Sequence, residues 1–407
     1  MENNLCPKHF FTNTIEETSM KSSDLFLLEK NTQRDLRIDF FRGLALMMIL
    51  IDHVESILGV SLLSRFTLKS SGFCDAAEVF IFLSGYLYGR VYSRVHQKDG
   101  AVACIKKSVR RGFGLYLATL LTLCCCLAIS VPFALRNDQI AQQLFLTPLL
   151  VVPVESTFYL ADLLYTPYGF EILRLYILFF LILIPSLFLL LKWDPVAAWF
   201  LSIGLYAAAQ YFSWFTIPMA FSEFRSFHFN PFSWQFLFFI GLVLGAKKQR
   251  GTTHWDNSRI LACFSLVMIL MVFYFDIVEP EIVYQILNTK FLNLFQAMIM
   301  KQTMAPFRLI HFLAIAFCVN YLTSSKGRFW KSKWASPLVV CGRNSLFVYC
   351  LGLVLMYLVV VLVSTFVLGN RWILFFHLLG GGISILLAMA IDHHKRIKHK
   401  FMREPTI

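Results

Sequence analysis

The chain has 407 residues, of which 57% are hydrophobic and 15% charged, and its formal net charge is +13. A soluble domain carries about 25% charged residues, so this composition excludes an ordinary water-soluble fold and points to an integral membrane protein. The net charge then reflects membrane topology and anionic lipid headgroups, and it calls for no nucleic-acid partner.

The first 30 residues are polar and lack the apolar core of a signal peptide. Residues 1–33 are expected to be a disordered cytoplasmic tail. Apolar runs of about 20 residues, enough to cross a bilayer, follow at 38–60, 74–92, 112–134, 169–191, 195–212, 231–247, 258–276, 306–323, 338–364 and 372–391. They define an all-α, polytopic transmembrane domain over 34–391 with ten spans, followed by a basic tail over 392–407. Residues 140–165 are interrupted by prolines and read as interfacial or re-entrant. Most of the 37 Lys and Arg fall in the N-terminal tail, 90–111, 191–194, 247–259, 324–334 and the C-terminal tail. By the positive-inside rule those segments, and both termini, are cytoplasmic. Most of the ten cysteines lie in apolar runs, with no ligand-type pairing, so no metal is expected.

The first span, "RIDFFRGLALMMILIDHVESILG", carries Asp39, Arg42, Asp52 and His53. A charge inside a bilayer is costly and usually faces a cavity or a partner. At about 100° per residue these four lie within an arc of roughly 100°, with Glu55 pointing elsewhere. They share one face. Arg42 and His53 are about 16 Å apart along the axis. That separation suits a substrate threaded through the membrane, with an anionic group held by Arg42 and chemistry at His53. Two plainer readings stay open: Arg42 pairs with Asp39 as a snorkelling anchor, and His53 is a packed, hydrogen-bonded residue.

The second span opens with "GFCDAAEVFIFLSGYLYG". Asp75 and Glu78 stand at i,i+3 near its non-cytoplasmic end. A carboxylate there beside His53 would orient the imidazole and stabilise its charged form; Asp75 would equally serve as a helix cap. Ser84 and Gly85 permit close helix contact. Further on, "FRSFHFNPFSWQ" offers His228, Asn230, Trp234 and Gln235, either as an interfacial belt or as a sugar platform. Glu171 and Arg174 read as a structural ion pair. Arg308, His311 and His377 read as interfacial or packed residues. "CGRNSLFVYC" puts Arg343 and Asn344 at the cytoplasmic start of the ninth span, where the arginine binds either lipid phosphate or, with Arg42, a donor's phosphates.

"RDLRIDFFRGLALMMILIDHVES", "GFCDAAEVFIFLSGYLYG", "EILRLYI", "NPFSWQFLFFIG" and "CGRNSLFVY" together resemble the OpgC family, from about Arg34 to Ile391. Members of that family are associated with succinyl modification of osmoregulated periplasmic glucans in bacteria. The chain is also similar to the wider acyltransferase-3 and transmembrane acyltransferase group. That group has an arginine, ten residues and then a histidine on its first span, matched here by Arg42 and His53. It also has an "FxxSG" element, matched by "FIFLSGY". The resemblance implies that His53 is the catalytic base and that Arg42 contacts acyl-CoA, with Asp39 and Arg34 at further motif positions.

The expectation is therefore a multi-pass enzyme of the bacterial inner membrane. It would transfer an acyl group, from succinyl-CoA or acetyl-CoA, to a periplasmic glucan or other carbohydrate. His53, Asp52, Asp75 and Glu78 would form the catalytic group. Arg42, Asp39, Arg343 and Asn344 would hold the acyl-CoA, and His228, Asn230, Trp234 and Gln235 the acceptor. The rival class is a transporter or flippase without covalent chemistry.

Overall fold

The computed structural model describes residues 34–59, 61–221, 229–249, 258–274, 289–323 and 327–401, and all regular structure among them is helical. The chain divides into a unit Met1–Asp35 and a unit Leu36–Ile407. The expected N-terminal tail over 1–33 lies outside the described residues.

Helix α1 spans Leu36–Leu58. Two short 3-10 turns follow, Leu62–Phe66 and Leu68–Ser70, the first capped by the Ser61 hydroxyl accepting from the Leu63 N–H. Helix α2, Ala76–Ala134, begins with a full capping box: the Asp75 side chain accepts from the Ala77 N–H, and Glu78 accepts from the Asp75 N–H. This reciprocal arrangement satisfies donors that a helix start leaves open.

Residues 90–111 connect the expected spans 74–92 and 112–134, and they leave the helix at one residue only. The segment is helical on both sides of Gly100, whose φ is +80°. It contains no proline, so nothing breaks the helix except the one residue that takes a positive φ without strain. The chain folds back there: Cys104 Sγ lies 3.5 Å from the Tyr92 carbonyl, and the Tyr88 hydroxyl 3.3 Å from Ser108 Oγ. The expected spans 74–92 and 112–134 are the two arms of this hairpin.

The proline-interrupted stretch forms α3 (Asp138–Gln143), α4 (Thr147–Val151) and α5 (Pro153–Ala161). Pro148 and Pro153 stand in first turns, where the missing N–H costs nothing. Then come α6 (Glu171–Trp193, with a π-turn over Phe179–Leu183), α7 (Pro195–Tyr211), α8 (Pro231–Gln249), α9 (Arg259–Phe273), α10 (Thr289–Met298) and α11 (Pro306–Leu322). The last three are α12 (Ser336–Arg343), α13 (Ser345–Phe366) and α14 (Asn370–Phe401). Helix α14 runs ten residues past the expected start of the C-terminal tail.

Glycines set the closest contacts. On α2, an added Cβ at Gly85 or Gly89 would stand 2.1 and 2.0 Å from the Phe238 and Leu242 carbonyl oxygens of α8. In return, Gly241 and Gly245 of α8 face the Phe82 and Tyr86 carbonyls at 2.3 and 2.0 Å. Backbones approach this closely only where side chains are absent. Gly43 of α1 meets Leu338 O of α12 in the same way, and Gly342 meets Asp39 O.

Among the described residues, four helices are long and apolar enough to cross a membrane: Ala76–Ala134, Glu171–Trp193, Ser345–Phe366 and Arg371–Lys398. Arg259–Phe273 and Pro306–Leu322 are shorter apolar helices. Phe113, Leu117, Leu121 and Phe200 lie exposed on helix surfaces, the pattern a lipid-facing wall requires.

Candidate functional site

His53 lines a cavity of about 720 Å³. Ile49, Asp52 and Ser56 of α1 line it too, three or four residues apart and so on one face. A loop between α5 and α6 forms the opposite wall. There Tyr168 and Gly169 approach the imidazole: the Tyr168 ring is edge-on to His53 at 5.8 Å, and Tyr349 of α13 at 6.4 Å. Gly169 has φ +89°, and a Cβ on it would meet the Leu353 side chain at 2.7 Å and His53 Nδ1 at 3.8 Å.

Tyrosine hydroxyls hold that loop. Tyr349 donates to the Gly169 carbonyl at 2.6 Å and Tyr357 to the Tyr168 carbonyl at 3.1 Å. The Tyr168 N–H donates to Leu144 O, and the Tyr165 hydroxyl to Phe145 O. The short helices α3–α5 thus anchor the loop that faces His53, and Gln142 and Gln143 of α3 also reach the cavity.

Asp75 reaches the cavity, but its carboxylate is committed. It caps α2 and pairs with Lys301 at 2.5 Å and with Arg308 Nη2 at 3.1 Å. Glu78 is wholly buried, accepts from Arg308 Nε and from the Asp75 N–H, and does not line the cavity. The orientation of His53 by Asp75 or Glu78 is therefore corrected: the two carboxylates close the start of α2 against two cations. Burial alone would lower the Lys301 ammonium, but Asp75 and Glu78 outweigh it and hold it above its ordinary range.

Two other carboxylates stand in the cavity with His53. Asp52 Oδ1 is buried with no hydrogen-bond partner among the described residues. Glu171 lines the cavity from the first turn of α6; Arg174, three residues on, feels its charge and donates to Pro218 O at 3.4 Å.

The other end of α1 is built differently. Asp39 is 1% exposed and lies 3.7 Å from Arg343 Nε. Arg343 also reaches Asp392 at 3.6 Å. Asn344 donates to Val340 O and accepts from Lys395 Nζ at 2.7 Å. Asp39, Arg343 and Asn344 thus form a network joining α1, α12 and α14 rather than an open phosphate site. Arg42 donates to Ser345 Oγ at 2.6 Å and lies over the Phe80 ring at 5.4 Å.

A second cavity, of about 350 Å³, is lined by Tyr92, Lys107, Arg110, Arg111 and Leu346. Lys107 sits over the Tyr92 ring at 5.7 Å. Among the described residues, none of these three cations has a carboxylate partner. Leu346 directly follows Ser345, so the basic cavity adjoins the residue that Arg42 binds. The run "KKSVRR" carried this signal in the sequence, where it reads as topology alone.

The proposed sugar platform does not form from the residues chosen for it. Trp234 is wholly buried, with its indole N–H directed at the Lys301 and Gln302 carbonyls. Gln235 is wholly buried and bonded to Ser202 on both amide atoms. Asn230 accepts from the Phe232 N–H and donates to Phe215 O. Their polar groups start α8 and tie it to its neighbours, leaving none for a ligand. His228 lies outside the described residues. Tyr168, Tyr349, Phe73, Phe145 and Phe229 are the aromatic residues of the cavity wall. Among the described residues no group of three or more His, Cys, Asp or Glu could hold a metal ion.

No curated protein and no solved structure matches the chain. The family model described as OpgC protein matches residues 34–396, which takes in α1, both cavities and most of α14. With its apolar helices and a match over nearly its whole length, the chain is a membrane protein that belongs to the OpgC family, and membership implies a transferase-type enzyme.

Proposed function

We propose that the protein is an acyl-CoA-dependent O-acyltransferase of the bacterial inner membrane, crossing it ten times with both termini cytoplasmic. Its acyl donor is succinyl-CoA or acetyl-CoA, and its acceptor a hydroxyl of a periplasmic glucan or other surface carbohydrate. The observation that carries this reading is the meeting of His53, Asp52, Glu171 and the Tyr168–Gly169 loop around one cavity in an OpgC chain.

His53 is the general base. It takes the proton from the acceptor hydroxyl as the oxygen attacks the thioester carbonyl carbon. The C–O bond forms and the C–S bond breaks. The proton on His53 then passes to the departing CoA thiolate, leaving neutral imidazole. A donor phosphate group is best accommodated by Lys107, Arg110 and Arg111, which pair with no carboxylate among the described residues, with Arg42 beyond Ser345 towards α2. Arg343 lies 3.7 Å from Asp39 and 3.6 Å from Asp392, and Asn344 accepts from Lys395, so the basic cavity is preferred to them as the phosphate site.

The test is direct. Purified full-length protein is incubated with succinyl-CoA or acetyl-CoA and a glucan, and both CoA release and the mass of the glucan are followed. Glucan-dependent release with a matching mass increase supports transfer. Folded protein that releases no CoA with either donor contradicts it.

A further inference from the structure

Three cations line the His53 cavity: Lys69, Lys301 and Arg308. Two are spent, since Lys301 pairs with Asp75, and Arg308 with Asp75 and Glu78. Lys69 is different. It stands in the 3-10 turn Leu68–Ser70, and its ammonium donates to Ser56 Oγ at 3.0 Å. Among the described residues no carboxylate lies within ion-pair distance of it. Its only hydrogen-bond partner there is a neutral hydroxyl. Ser56 is itself fixed, donating to the Asp52 carbonyl at 2.6 Å.

Ser56 follows His53 by three residues, so it lies about 4.5 Å further along α1 on the same face. An ammonium held there, with donors to spare, is a receptor for an anionic oxygen. The nearby Asp52 is a competing anion that feels the charge of Lys69, but among the described ion pairs the two do not come within 4.0 Å. In a four-carbon dicarboxylic acyl group, three C–C bonds of about 1.5 Å separate the thioester carbonyl carbon from the free carboxylate carbon. With the thioester at His53, that reach of about 4 Å is close to the rise of about 4.5 Å from His53 to Ser56.

We propose that Lys69, positioned by Ser56, receives the free carboxylate of the acyl chain and so makes the site select dicarboxylic over monocarboxylic acyl donors. This rests on the acyltransferase reading above. It adds the residue that decides which acyl group is taken. Lys69 acts on binding and selection, and His53 still moves the proton.

The experiment compares wild type, Lys69→Met and Lys69→Arg in full-length protein, with succinyl-CoA and acetyl-CoA as donors and a neutral glucan as acceptor. Lys69→Met is expected to lower kcat/KM for succinyl-CoA by about tenfold or more, leaving acetyl-CoA transfer unchanged. Lys69→Arg is expected to restore most of the succinyl preference. Equal loss with both donors would overturn the proposal and make Lys69 a support for Asp52 and the cavity wall. No loss with either donor would overturn it as well. So would a loss that follows a charged acceptor instead of the donor, which would move the carboxylate to the glucan. The binding of each CoA ester is measured by calorimetry in parallel. Tighter binding of succinyl-CoA than acetyl-CoA, lost in Lys69→Met, supports Lys69 even if neither donor is turned over, in which case the transferase reading alone falls. Equal binding of the two esters by wild type, without turnover, overturns the proposal.

Discussion

The two ends of α1 carry the same kinds of residue and use them in opposite ways. Towards Leu36, Asp39 is sealed beneath Arg343, and glycines at 43 and 342 bring two backbones together around it. Towards Leu58, Asp52 and His53 open into a cavity large enough for reactants. A charge in an apolar helix must have either a partner or a cavity, and α1 has one solution at each end. Shared helical face alone does not distinguish a structural acid from a reactive one; what packs against each end does.

The contrast can be broken by substitution. The largest effect is expected at His53: in His53→Gln, kcat for acyl transfer falls by about 10²–10⁴ while thermal melting is unchanged. Next comes Glu78→Gln, which leaves Arg308 facing a neutral amide. Breaking a buried pair of this kind costs about 3–5 kcal/mol, read as a lower melting temperature. Removing Lys107, Arg110 or Arg111 singly raises KM for the CoA ester several-fold, by about 1 kcal/mol each, and weakens the salt dependence of binding. Gly169→Ala forces a side chain to φ +89°, costing about 1–2 kcal/mol, and lowers kcat by displacing the loop from His53.

The smallest effect concerns pH. The Lys301 ammonium is held above its ordinary range. Its contribution to stability is complete below the unfolded value of about 10.4 and is lost only as pH rises through the higher folded value. The difference in melting temperature between wild type and Lys301→Met is therefore flat from about pH 6 to 9. A difference that shrinks within that window would place the ammonium's titration lower.

Much of this was legible in the chain. The apolar runs fall on helices, Gly85 marks a close helix contact, and the placement of Asp52, His53 and Asp75 near one another follows from helix pitch and a short connection. What escaped depends on distant segments. Arg343 meets Asp39, and Ser345 meets Arg42 from 303 residues away; no local pattern announces such pairs. Lys69 and Lys301 sit in loops, where periodicity is silent, and Tyr349 and Tyr357 look like ordinary residues of an apolar helix. Trp234 and Gln235 stayed ambiguous between an interfacial belt and a sugar platform because a mixed aromatic and polar composition suits those and a buried helix start equally well. Residues 90–111 read only as a basic connection between two spans, and nothing in them announced that the connection stays helical except at Gly100.

The most direct test of the contrast sets His53→Gln beside Arg343→Met, each assayed for glucan-dependent CoA release and for thermal melting. The account predicts that His53→Gln loses release and keeps its melting temperature, while Arg343→Met melts lower and, at temperatures where it remains folded, keeps release within a few-fold of wild type. Full release in folded His53→Gln protein, or loss of release in Arg343→Met with melting unchanged, would contradict it.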